Sequence, residues 1–145
     1  MKTEEFRLFL VPTGVAAAVT SEALPLLAAR YGWPPQAVET YAANRPGASP
    51  GDNACAILTD AAFRVPSARL AAAQHAAGGT VHSYEFGWPT PVRSLGACHA
   101  LELAFGRDGA PGWRPWTPDD RPVMTFDVTS ELTRGPRSDE LALWD

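Results

Sequence analysis

The sequence predicts a mixed α/β chain, and three observations carry that prediction. Four helix-spaced segments follow one another as far as Ala77, the apolar period changes to two at Thr80, and a second alternating run returns at Val123. The first strong helix runs from Glu22 to Tyr31. Leu24, Leu27, Ala28 and Tyr31 recur on one face there, Ser21 stands where an N-cap belongs, and Gly32 then Pro34 end it. Pro25 falls in the first turn, where its missing N–H costs little. The second helix spans Pro35 to about Ala43 and buries Val38, Tyr41 and Ala42 before Asn44-Arg45-Pro46-Gly47 breaks it. A third extends from Pro50 to about Arg64. The fourth, Pro66 to Ala77, is Ala-rich with Leu70 as its one large apolar residue, and Gly78-Gly79 terminates it.

Thr80 to Phe86 alternates as a strand does, with Val81, Ser83 and Glu85 on one side and His82, Tyr84 and Phe86 on the other. Gly87-Trp88-Pro89-Thr90-Pro91 is a rigid turn. Residues Gly106 to Pro122 are Gly, Pro, Trp and charge without periodicity, and Val123 to Val128 is the second strand. The tail, Thr129 to Asp145, reads as charged and weakly structured, with a short apolar patch at Leu141-Ala142-Leu143-Trp144. No internal repeat is present.

Composition bounds the function classes. A chain of 145 residues with 46% hydrophobic and 19% charged content is globular and makes one domain or part of one. Its 14 Pro and 12 Gly interrupt the elements, so long irregular connections are expected. The net charge of −4, with Lys2 the only Lys among 11 Arg, offers no basic face for a phosphate backbone, which argues against nucleic acid as a partner. Cys55 and Cys98 are expected to be two buried free thiols. Met1 to Leu10 holds four charged side chains, unlike a signal peptide, and no uninterrupted apolar window reaches membrane-spanning length. The residues given therefore read as soluble and cytoplasmic, with no membrane partner. If they were cut from a longer precursor, an export signal could have preceded them.

The chemistry is carried by two segments. Leu95-Gly96-Ala97-Cys98-His99-Ala100-Leu101-Glu102-Leu103 closely resembles the loop that bears the catalytic histidine in type-B carboxylesterases, the serine esterases of the α/β-hydrolase fold. Thr3-Glu4-Glu5-Phe6-Arg7-Leu8-Phe9 is similar to the segment that delivers their acidic triad member, with Glu5 in the acidic place. The likeness continues through Leu58 to Ala71, through Tyr84 to Pro91, and from Gly112-Trp113-Arg114-Pro115-Trp116 to Met124-Thr125-Phe126-Asp127, in the family's order. Bacterial para-nitrobenzyl-esterase-like members are the nearest in pattern. The resemblance implies an incomplete α/β-hydrolase fold, residues 1–145 being the C-terminal portion of a carboxylesterase domain: its C-terminal helices and last strands, without the nucleophile-bearing half. It implies hydrolysis of carboxylic esters by a Ser-Glu-His triad of which this chain carries Glu5 and His99, with no cofactor and no metal.

Such a site needs a histidine to take the serine proton and a buried carboxylate to hold the imidazole in the right tautomer. On residue types alone His99 is equally a loop histidine that caps or packs. Two departures from the family pattern stand out: the chain begins three residues before the acidic motif, and Glu102-Leu103 passes almost directly into Ala104-Phe105-Gly106-Arg107-Asp108-Gly109, where a helix-sized piece is expected. Glu102 occupies a place where the family pattern has a carboxylate.

Gly47-Ala48-Ser49-Pro50-Gly51 spells the G-x-S-x-G of a nucleophile elbow. Three objections count against it. No strand precedes Ser49, Pro50 has no N–H to give an oxyanion hole, and the serine should come before Glu5 in chain order. Capping explains the same residues, with Ser49 as N-cap, Pro50 as first helical residue and Asp52 in the first turn. His75 and His82 have no metal-ligand spacing, and Cys98 beside His99 reads as a small packed side chain. Asp60 either orients backbone near the site or pairs. Trp88, Trp113 and Trp116 fill core or line an acyl pocket. The expected partner is a small carboxylic ester, once a nucleophile-bearing half completes the site; the chain alone is expected to be inactive. A non-enzymatic binding or scaffold module that kept the outer helices is the rival reading, and a miniature hydrolase using Ser49 is the third. Without a large sheet to cover, Leu24, Leu27 and Ile57 are expected to be exposed.

Overall fold

The computed structural model describes residues 4–92, 95–100 and 113–145. Glu102 and the Ala104 to Gly109 stretch lie outside these. The elements in order are α1 (Arg7–Leu10), α2 (Val15–Ala18), α3 (Ala23–Arg30), α4 (Ala37–Ala43), α5 (Pro50–Thr59), a π-helical turn (Asp60–Arg64), α6 (Val65–Ala76), β1 (Ser83–Phe86), β2 (Pro122–Phe126), β3 (Glu131–Arg134) and α7 (Ser138–Ala142). Helices thus precede a small mixed sheet, as the change of period predicts. None of the described helices is long and apolar enough to cross a membrane.

Several expectations are corrected. Glu22, not Ser21, is the N-cap of α3, and it makes no side-chain capping bond. The third and fourth predicted helices are continuous, because the π turn joins α5 to α6 where a break before Pro66 was expected. Proline lacks the N–H for a helical bond and its ring crowds the preceding turn. Widening that turn, so that Val65 N–H reaches the carbonyl of Asp60, makes room for the ring without ending the helix. The tail is not weakly structured: β3 pairs antiparallel with β2, and α7 follows.

Leu24 and Ile57 are buried and Leu27 is half-buried, against the expectation of exposure. They are covered by the chain's own aromatic core. Ala28, Trp33, Ala37, Tyr41, Ala56 and Ile57 form its centre, with Tyr31, Val38, Leu143 and Trp144 packed against it. Trp33 stacks on Tyr41 at 5.9 Å and meets Trp144 edge-on at 4.3 Å. Large rings bury roughly 150–250 Å² each, enough to close a core between short helices. Leu70 is 70% exposed, so the Ala-rich helix packs through Val65 and Ala71 instead.

Charge is buried in this core as well. Glu140, fully inaccessible, accepts from Arg45, from Arg64 at 3.1 Å and from Asn44 at 3.1 Å. Arg64 also bonds Asp60, which accepts from the Tyr41 hydroxyl at 2.9 Å. Arg137 pairs with Glu85 and so ties the stretch before α7 to β1.

The sheet order is β1-β2-β3, with β1 parallel to β2 and Ser83 opposite Val123. A parallel pair cannot be closed by a tight turn and needs a crossover of a dozen residues or more. Residues 87–121 make that crossover. Its first part holds His99.

Candidate active site

Glu5 sits in the turn before α1 and is held on both sides. On one side the Phe6 amide donates to the Thr59 hydroxyl at 3.1 Å, fixing the turn to the end of α5. On the other, the Glu4 amide donates to the carbonyl of Ala97 at 3.2 Å. The result is a carboxylate residue only 3% exposed.

The histidine loop is folded by its own small residues. Thr90 and Gly96 form an isolated antiparallel bridge, and the Thr90 amide donates to Gly96 at 3.0 Å. Gly96 adopts φ +61, in the left-handed region that glycine enters without strain, and its face lies against the Glu4 carboxylate. Ala97 and Cys98 are buried, which leaves His99 at the turn with its side chain 40% exposed. Its Nδ1 lies 2.7 Å from Oε2 of Glu5. The two predicted site residues are therefore brought together from 94 positions apart.

Two phenyl rings flank the imidazole: Phe63 at 5.3 Å and Phe9 at 5.6 Å between centroids. Phe6 contacts both phenyl rings, at 5.5 Å from Phe9 and 6.2 Å from Phe63. Chemically, a buried carboxylate on Nδ1 keeps the proton on that nitrogen and leaves Nε2 with its lone pair, the state of a general base. Sequence reasoning named Glu5 and His99 but missed Glu4, Phe9 and Phe63. The Glu4-Glu5 tandem and the Phe6, Phe9 spacing were the available signals.

Ser49 is where the capping reading puts it. Its hydroxyl accepts from the Asp52 amide at 3.2 Å, while the Asp52 carboxylate accepts from the Ser49 amide at 3.1 Å, a reciprocal capping box at the start of α5. Burial pushes the Asp52 carboxyl upward, but bonds from Ser49 and the Arg7 guanidinium outweigh it and hold the group below its usual range. No strand precedes Ser49. The elbow reading has no structural support.

The remaining candidates have packing roles. His75 meets Trp116 edge-on at 6.0 Å and His82 meets Trp113 at 5.7 Å. The Trp113 indole donates to the Ser83 carbonyl at 3.1 Å, and Trp116 is buried, so both belong to the packing around β1; Trp88 is exposed. Asp60 is a buried partner of Arg64 and Tyr41 rather than an exposed cap. Cys55 and Cys98 are buried and not in a disulfide, and burial raises the Cys55 thiol to about 11. Among the described residues no group of three His, Cys, Asp or Glu could hold a metal ion.

This fold defines a carboxylesterase-like region of α/β-hydrolase type. The structure of the Geobacillus stearothermophilus carboxylesterase EST55 at pH 6.2 matches 99% of this chain and 39% of its own, with a TM-score of 0.79 and 23% identity. An esterase from the anaerobe Clostridium hathewayi, which can hydrolyze aliphatic aromatic polyesters, matches 99% of this chain and 36% of its own, with a TM-score of 0.62 and 21% identity. The chain thus spans less than two-fifths of either solved enzyme. No family model matches the sequence.

Proposed function

We propose that this chain supplies the acid and the base of a type-B carboxylesterase, with Glu5 and His99 as two members of a Ser-Glu-His triad. The nucleophilic serine and the oxyanion donors come from a separate α/β-hydrolase portion. The observation that carries this is the 2.7 Å contact between Nδ1 of His99 and the buried carboxylate of Glu5. Likeness to two esterases along nearly the whole chain supports it.

The steps follow from the pair. Nε2 of His99 accepts the serine proton as the serine oxygen attacks the ester carbonyl, and Glu5 stabilises the resulting imidazolium. The imidazolium then returns the proton to the departing alcohol, leaving an acyl-serine. Water, deprotonated by Nε2 in turn, releases the carboxylic acid. Phe9 and Phe63 keep the ring from swinging off Glu5. Without a nucleophile the chain alone hydrolyses nothing, since removing the serine from a triad takes most of the catalysis and the oxyanion donors are absent too.

The test is complementation. The purified chain is assayed with a short-chain chromogenic ester, alone and with a nucleophile-bearing fragment of a related esterase. Activity should appear only in the mixture and disappear in His99→Ala and Glu5→Ala. Turnover by the chain alone, or a mixture indifferent to His99→Ala, refutes the proposal.

A further inference from the structure

The Glu4 side chain lies within reach of the histidine loop yet has no part in the proton transfers above. Its Oε2 accepts from the Ala97 amide at 3.0 Å, while its own amide donates to the Ala97 carbonyl at 3.2 Å. Both polar backbone groups of Ala97 are thus held by one residue, the immediate neighbour of Glu5. The approach leaves no room beside it: a Cβ on Gly96 would stand 1.7 Å from that same Oε2. Glu4 is itself steered. Its Oε1 lies 3.5 Å from Nε of Arg7, and Arg7 in turn bonds Asp52, the carboxylate of the α5 capping box. A connected path runs from the start of α5 through Asp52, Arg7 and Glu4 to the loop two residues before His99.

We propose that Glu4 is a positioning residue for His99, clamping Ala97 so that the imidazole presents Nδ1 to Glu5. This rests on the esterase reading, in which that presentation matters. A free neutral imidazole favours the proton on Nε2, the wrong tautomer for a base that must accept there. Holding Nδ1 against Glu5 reverses the preference. Two hydrogen bonds to one loop residue fix the distance over which that reversal operates, and losing the side-chain bond lets the loop drift. The capping motif at Gly47-Ala48-Ser49-Pro50-Gly51 then contributes to the site indirectly, by fixing the carboxylate that orients Arg7.

The experiment reads tautomers, not turnover. The full chain, labelled with ¹⁵N-histidine, is examined by long-range ¹H–¹⁵N correlation at alkaline pH, where imidazole is neutral. Wild type should show His99 mainly as the Nδ1–H tautomer, and Glu5→Ala should shift it to Nε2–H. In Glu4→Ala the ratio of Nδ1–H to Nε2–H should fall about three- to tenfold, the weight of one ordinary hydrogen bond, with loss of Ala97 amide protection. Glu4→Gln keeps an acceptor oxygen and should keep the wild-type ratio. Gly96→Ala, which drives the carboxylate away, should lower the ratio as Glu4→Ala does and serves if that variant fails to fold. A wild-type ratio in Glu4→Ala or Gly96→Ala overturns the clamp, as does Glu4→Gln behaving like Glu4→Ala. An unchanged ratio in Glu5→Ala instead removes the acid–base pair, and with it the esterase reading, whatever Glu4 does.

Discussion

Replacing Glu140 by Ala is expected to be the most damaging single change away from the site. Its carboxylate is fully inaccessible and is shared by Arg45, Arg64 and Asn44. Removing one member of a buried pair typically costs about 3–5 kcal/mol, because a desolvated charge is left behind. Here the surviving partners limit the damage. Arg64 keeps Asp60 at 3.2 Å and the carbonyls of Pro136 and Arg137, Arg45 keeps the Tyr41 carbonyl at 3.2 Å, and Arg137 keeps Glu85. The lower end, about 3 kcal/mol, is therefore expected, which lowers the melting temperature by roughly 6–12 °C for a chain of this size. Thermal unfolding followed by far-ultraviolet circular dichroism and by tryptophan emission checks this, since Trp144 is packed in the same cluster. The pH dependence gives a second reading. Burial pushes the Glu140 carboxyl upward, but bonds from Arg45 and Asn44 and the charges of Arg45 and Arg137 outweigh it and depress the group. A depressed carboxyl stabilises the fold above its unfolded-state pKa, and that stability is lost as pH falls through the lower, folded value. Wild type should thus lose its advantage over Glu140→Ala only in acid, below about pH 4. A variant that melts within 2 °C of wild type at neutral pH, or a gap that does not narrow in acid, would show that the arginines do not depend on this carboxylate.

Ser49→Ala should cost about 1 kcal/mol, the ordinary weight of an N-cap. It should leave complemented esterase activity in place, whereas abolition of that activity with an unchanged melt would restore the elbow. The Cys55 thiol, raised to about 11 by burial, should resist a disulfide reagent at pH 8 in the folded chain and react at an ordinary rate only in denaturant. Fast labelling of Cys55 in a Cys98→Ala background under native conditions would contradict its burial.

The residues that sequence reading placed well share a local signal. Leu24, Ala28, Val38 and Tyr41 fall at helical spacing between strong stops, and Ser49-Pro50-Gly51-Asp52 carries the whole chemistry of a helix start within four residues. Glu5 and His99 were legible because each lies in a family-like motif, although nothing local in either motif could bring them together. What was missed depends on partners distant in the chain. Glu140 reads as tail charge until Arg45 and Arg64 are seen around it, and β3 has too short an alternation to stand out without β2 beside it. Helices α1 and α2, four residues each, are too brief to show a period. The continuity of α5 with α6 was hidden because Pro66 signals a stop, and only the extra width of the π turn lets the helix carry on through it.

That π turn also sets a phase. It holds more residues per turn than the helices on either side, so α6 starts rotated relative to the face α5 would have continued. Within its five residues Asp60 and Arg64 point to the buried charges around Tyr41 and Glu140, while Phe63 points to the imidazole of His99. One missing residue here, such as Ala61 or Ala62, would regularise the helix yet turn its two ends by roughly 100° against each other. Arg64 and Phe63 would then lose register with Asp60 and the buried charges at the same moment. This stretch of the chain therefore tolerates changes of side chain at Ala61 and Ala62 far better than changes of length, and its spacing ties the geometry of the histidine wall to that of the core.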